Sequence, residues 1–227
     1  MKKIMILIVV LSSIFILFGC SATNEVVTPA PMEETNTFKK SENVPIPNEE
    51  FLYEKYVNMA NMPVFDMAFD KKCSFDDRTL IMEDSIDNIL EKIIYDHYYY
   101  EVFGDFTKYM ELCGDSETLS ITFQNDEKRF HEGLYMKEYT IHNLSTLTTE
   151  YIKNLDPLSK NNILEKIDCF ALTQYAIIKL DISWKHNAAS LEALPQLDDG
   201  RYMRYFLLGT NADTYDFKIY EIYWDSL

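Results

Sequence analysis

Between Thr79 and Phe103 the apolar residues Met82, Ile86, Ile89, Leu90, Ile93 and Tyr100 recur at intervals of three, four or seven, which sets them on one face of a helix. Asp76 and Asp77 supply capping oxygens ahead of this run and Gly104 closes it, so a helix over 79–103 is expected. A shorter helix should begin at Asp105, carry Phe106, Tyr109, Met110 and Cys113 on one side, and stop at Gly114. A further turn or two fits 125–131, ended by Gly133. The period then falls to two. Leu134 and Met136 share one parity and Tyr139 and Ile141 the other, which predicts a strand with a bulge near Lys137 and Glu138. The polar stretch Thr148 to Lys166, interrupted by Pro157, suits short helices. Ala176, Ile178, Leu180, Ile182 and Trp184 then alternate with Ile177, Lys179, Asp181, Ser183 and Lys185, a strand with one buried face and one largely wet. Two strand-like runs, 201–208 and 215–224, flank Gly209 to Thr214 and read as a hairpin with a long loop. Helices packed on a curved antiparallel sheet place the chain in the α+β class.

The start of the chain has a different pattern. Lys2 and Lys3 precede an uncharged stretch from Ile4 to Phe18, the layout of a signal peptide and shorter than the roughly 20 residues that span a bilayer. Leu17-Phe18-Gly19-Cys20 follows, and it resembles the lipobox of bacterial lipoproteins. The resemblance implies that residues 1–19 are removed, that Cys20 carries the lipid, and that the protein is held on the extracellular face of a cell membrane. The Lys-, Asn-, Ile- and Tyr-rich composition points to a Gram-positive-type envelope. Residues 20–47 are rich in Ser, Thr, Asn, Glu and Pro and have little with which to build a core, so a disordered linker is expected. As a flexible coil it would hold the rest on the order of 30 Å from the bilayer. Residues 48–227 then form a single α+β domain.

The order of elements in that domain, a long helix, the Gly104-Asp105-Phe106 corner, a short helix and long C-terminal strands, is similar to the NTF2-like cone fold over about residues 77–227. In that family the sheet wraps around the long helix and leaves a pocket, which some members use for isomerase or dehydratase chemistry and many only for binding. The resemblance assigns no residue roles here.

Charge narrows the partners. The chain carries a net charge of −16, and residues before 48 contribute equal numbers of each sign, so the excess belongs to the domain. Nucleic-acid binding needs a basic face and is not expected; an anionic bilayer would also repel the domain, leaving the lipid on Cys20 as its membrane contact. Cys73, Cys113 and Cys169 allow at most one internal disulfide and lack zinc spacing, and buried, unpaired sulfur is favoured. Gly104, Gly114, Gly133, Gly200 and Gly209 stand apart at element ends, which excludes phosphate loops and the hydrolase nucleophile elbow.

Candidate chemistry is sparse. Asp96 and His97 on the long helix and Asp181 on a strand are available acids and bases. His97 and Glu101 have helical spacing compatible with a metal but supply only two ligands. His131-Glu132 lacks the second histidine of a zinc protease, and His142 and His186 are isolated. No cofactor or metal is expected, and nothing in the order of residues supports a nucleophile triad. Aromatics are abundant, and Trp184, Tyr205, Tyr220 and Trp224 are the residues expected to line a ligand pocket. The sequence favours a lipid-anchored binding or interaction module of the envelope, with a small apolar ligand or an envelope protein as partner. Two alternatives stay open: a pocket enzyme (isomerase, dehydratase or hydrolase) using a buried Asp or His, and a protein-docking module without a pocket.

Overall fold

The computed structural model describes residues 49–59, 62, 69–195, 197–214, 216–225 and 227. The expected signal peptide, the expected lipid site Cys20 and the expected linker over 20–47 lie outside the described residues. Those described belong to one compact unit. In chain order they form α1 (Glu49–Lys55), β1 (Lys72–Phe75), β2 (Arg78–Met82), α2 (Ile89–Phe103), α3 (Phe106–Glu111), α4 (Glu117–His131), β3 (Met136–Thr146), α5 (Thr149–Lys153), α6 (Pro157–Cys169), β4 (Gln174–His186), α7 (Ala188–Glu192), β5 (Gly200–Thr210) and β6 (Lys218–Trp224). The fold is α+β, with seven helices and six strands among the described residues.

The expected helix over 79–103 is divided. Thr79 to Met82 belongs to β2, whose residues alternate between buried and half-buried, and only the part from Ile89 is helical. Asp76 and Asp77 form the β1–β2 turn, where Asp76 takes a left-handed φ of 53°. The N-cap of α2 is Asn88 instead, its side chain accepting from the Leu90 and Glu91 amides at 3.0 and 3.1 Å. Glu91 then accepts from the Thr146 amide (2.9 Å) and hydroxyl (3.0 Å), tying the start of α2 to the end of β3. At the other end, Gly104 caps α2 with φ 72°, and Asp105 starts α3. Helix α4 is longer than expected, beginning at the Ser116 cap.

The strands lie in the order β1-β2-β3-β4-β5-β6 in one open sheet. All neighbours are antiparallel except β2 and β3, which are parallel, so the sheet is mixed rather than antiparallel throughout. The parallel pair follows from chain length: β2 and β3 are separated by α2, α3 and α4, enough chain for a crossover. Strand β3 has the expected register shift between Met136 and Glu138, and a second between Ile141 and Asn143.

Leu90, Ile94, Tyr98 and Val102 of α2 are buried with Leu80, Ile141, Ile178, Leu180 and Phe206 of the sheet, each such side chain contributing about 1.5–3 kcal/mol by leaving water. On the opposite face, Tyr56 meets Tyr175 edge-on at 5.0 Å, and their hydroxyls donate to the Leu147 and Leu52 carbonyls. Helices α1, α5 and α6 cover that end of the face, while Lys179, Asp181, Ser183 and Lys185 remain partly or fully exposed. Cys73 is buried, Cys113 half-buried and Cys169 exposed, and all three are unpaired, so the preference for buried sulfur holds only for Cys73. No described helix is long and apolar enough to cross a membrane.

Candidate functional site

A cavity of about 520 Å³ opens between α2, α3 and α4 and the α2 side of the sheet. His97 and Glu101 reach it from α2 because residues four apart share a helix face. Tyr109 comes from α3, Phe123 and Asp126 from α4, Tyr139 from β3, Trp184 from β4, Arg204 from β5, and Ile222 and Trp224 from β6. The strand contributions follow the two-residue period: Arg204 is opposite Leu180 and Trp224, and all three point to the α2 side.

The floor is polar. The Tyr139 hydroxyl donates to Glu101 Oε1 at 2.6 Å, the Tyr109 hydroxyl donates to Asp126 Oδ2 at 3.0 Å, and Arg204 Nη1 donates to the Tyr98 hydroxyl at 2.8 Å. Burial, reinforced by the neighbouring Asp126 charge, pushes the Glu101 carboxyl up to about 8, and burial raises Asp126 as well. Both carboxyls are thus held above the usual carboxylate range, and each accepts its hydrogen bond from a tyrosine hydroxyl. Burial likewise raises the phenols of Tyr109 and Tyr139, which stay neutral donors. His97, stacked on Tyr109 at 4.7 Å, is held neutral by burial and, secondarily, by the Arg204 charge. Two buried nitrogens of this floor, Arg204 Nε and His97 Nδ1, have no hydrogen-bond partner.

One wall is aromatic. Trp184 stacks on Tyr202 (4.2 Å, 12°) and meets Trp224 edge-on (5.9 Å, 83°), and the Arg204 guanidinium lies 4.1 Å from the Trp224 ring centre. Trp184 Nε1 and the Tyr202 hydroxyl both donate to the Asp198 carbonyl, which fixes this wall. Lys128, Arg129 and Glu132 from the end of α4, together with His186, add charged and polar groups to the lining.

Of the four expected lining residues, Trp184 and Trp224 are brought together here, and Tyr205 and Tyr220 are not. Tyr205 has the opposite parity to Arg204 and sits beside Tyr151 of α5 on the far face. Tyr220 falls at the register shift of β6, packs on Phe170 at 5.1 Å and closes over Gly114, where an added Cβ would lie 2.5 Å from its ring. Asp96 pairs with Lys92 and Asp181 with Arg201, both away from the cavity. His131 is exposed beside Glu127, and His186 bonds Asp199 at 2.7 Å. Asp126, Tyr109, Tyr139 and Arg204 were missed from sequence. Arg204 left a signal, a cation between Tyr202 and Phe206 at an inward strand position. Among the described residues, no group of three or more His, Cys, Asp and Glu is arranged to hold a metal.

Comparison with protein-family models, with curated proteins and with solved structures found no match to the chain.

Proposed function

We propose that the protein is a lipid-anchored, extracytoplasmic binding protein with an NTF2-like arrangement, taking a small ring-bearing, polar molecule into the cavity between α2 and the sheet. The observation that carries this reading is Arg204: a half-buried side chain whose buried Nε has no hydrogen-bond partner, at the lining of a 520 Å³ space. An unsatisfied buried donor costs about 1–3 kcal/mol, which a ligand acceptor would offset. The Trp184 and Trp224 wall suits a flat ring, and the Glu101 and Asp126 carboxyls suit hydroxyl groups on it. The polar floor argues for an amphipathic ligand rather than a purely apolar one. The Gly104 corner and the long β3–β6 meander packed on α2 support the cone resemblance. Leu17 to Cys20 supports the anchor, and the Lys-, Asn-, Ile- and Tyr-rich composition supports the Gram-positive-type placement.

A second reading, catalysis, is favoured by Glu101, a cavity acid raised to about 8 and therefore poised to exchange protons near neutral pH. For binding, the full chain in detergent is screened by thermal shift against sugars and aromatic acids, wild type beside Arg204→Met. A ligand-dependent rise in melting temperature that Arg204→Met abolishes is expected. No shift with any ring-bearing acceptor, or an equal shift in both proteins, overturns the reading. For the anchor, Cys20→Ser is expected to move the protein from the membrane to the soluble fraction, and retention in the membrane refutes lipidation there.

A further inference from the structure

On the sheet face away from the cavity, three side chains form a hydrogen-bonded line across three adjacent segments. His142 of β3 lies between Glu83, just after β2, and Ser183 of β4: its Nδ1 is 2.6 Å from Glu83 Oε2 and its Nε2 is 2.9 Å from Ser183 Oγ. A carboxylate only accepts, so Nδ1 carries the proton; Nε2 of the neutral ring then presents its lone pair to the Ser183 hydroxyl. This is the order of contacts that turns a serine into a nucleophile, with acid, imidazole and hydroxyl each facing the correct atom.

The backbone is shaped for it. Ile141 is opposite Ile182 and Asn143 is opposite Asp181, so His142 is the extra residue of a β-bulge. Bulges re-aim side chains, and this one turns the ring across the strand toward Ser183. Glu83 is held beside it by its own amide, which donates to the Ile141 carbonyl at 2.9 Å. Arg201 is the direct cross-strand partner of Ser183, and two hydrogen bonds to Asp181, 2.7 and 2.6 Å long, fix its guanidinium on the same face. The Glu83 side chain is 54% exposed, so the line opens to solvent.

We propose that Ser183, His142 and Glu83 form a second site that cleaves a solvent-presented ester by acyl transfer to Ser183. Ser183 Oγ attacks the ester carbonyl carbon as its proton passes to His142 Nε2, and the tetrahedral oxyanion faces the Arg201 charge. The ester C–O bond then breaks, and the leaving alkoxide takes the proton from His142. Water then attacks the acyl carbon as its proton passes to His142, the bond to Ser183 Oγ breaks, and Oγ takes that proton back from His142, releasing a carboxylic acid and restoring Ser183. Ser183 and His142 are the catalytic residues, and Glu83 is a positioning residue that holds the imidazole in the required tautomer.

The test is covalent labelling of the full chain in detergent with a fluorophosphonate probe, read by intact mass and by the mass of the Ser183 peptide. One adduct, on Ser183, is expected, absent in Ser183→Ala and slowed on the order of 100-fold in His142→Ala. Glu83→Gln should slow labelling and Glu83→Asp should restore part of the rate; a merely structural tie would leave the labelling rate of the folded variants at the wild-type value. Thermal melts of each variant report folding independently. A folded wild type that takes up no probe, or His142→Ala labelled at the wild-type rate, overturns the proposal.

Discussion

Replacing Glu101 by Gln removes an ionisable group from the cavity floor and keeps a carbonyl oxygen to accept the Tyr139 hydroxyl, which now meets Oε1 at 2.6 Å. In the folded chain the carboxyl is pushed up to about 8 from an ordinary value of 4.5, by burial first and the Asp126 charge second. Between those two values the folded state holds a proton that the unfolded chain has released, so stability falls as pH rises through the window, and the full penalty is reached above the folded value. At about 1.4 kcal/mol per unit the ceiling is ~5 kcal/mol, and water in the cavity screens this to roughly 2–3 kcal/mol. For a domain of this size that is roughly 5–10 °C in melting temperature. Melting followed from pH 5 to pH 8 should therefore fall more steeply for the wild type than for Glu101→Gln, with the variant the more stable at pH 8 and the two converging at pH 5. Titrating groups outside the cavity act alike in both proteins, so the difference reports Glu101 together with its effect on the neighbouring Asp126. Parallel curves across the window would show that Glu101 is ionised and solvated in the folded state, and the account of the site would fail.

Arg204→Met should steepen the same pH dependence rather than relieve it, since the guanidinium charge favours the ionised forms of Glu101 and Asp126; a flatter melting curve would refute the assigned floor. Gly104→Ala combines a left-handed φ of 72° with a new Cβ 2.8 Å from Phe130 Cζ, and should lower stability by about 1–2 kcal/mol in urea titration. Asn88→Ala removes the Oδ1 that accepts both cap amides of α2 and the donation to Thr146 Oγ1 at 3.1 Å, with an expected cost of about 1–2 kcal/mol by the same titration.

Element ends were legible where local chemistry decides them. Gly104, Asp105 and Pro157 each act within one turn of the backbone, and each stands where the sequence implied. The bulge near Lys137 was legible because a change of parity is itself the bulge. The division between β2 and α2 was not. Thr79 to Met82 is too short for a two-residue period to be told from a 3.6-residue one, and of its two partners β1 is a strand of only four residues while β3 lies more than fifty residues away in the chain. The parallel pairing of β2 with β3 was hidden for the same reason, because tertiary contact sets it and no local turn announces it.

The two clusters of polar side chains differ in what the sequence could reveal. His97 and Glu101 are one helical turn apart, so their shared face is written in their spacing, but Asp126, Tyr139 and Arg204 reach them from three other elements, and only Arg204 is conspicuous where it stands. An acid on α4 looks like any solvated helix residue until α4 is laid against α2 and burial raises its carboxyl. The line through Glu83, His142 and Ser183 is still less visible, because its geometry depends on one inserted residue in β3: with strict alternation from Ile141, Asn143 would point to the cavity and His142 would sit squarely opposite Asp181. Deleting one position of pairing register thus separates an isolated strand histidine from an imidazole placed between an acid and a hydroxyl. That dependence on register links the fold to the proposed chemistry: a substitution that irons out the bulge should leave the cavity's Arg204 and Glu101 in place while uncoupling His142 from Ser183.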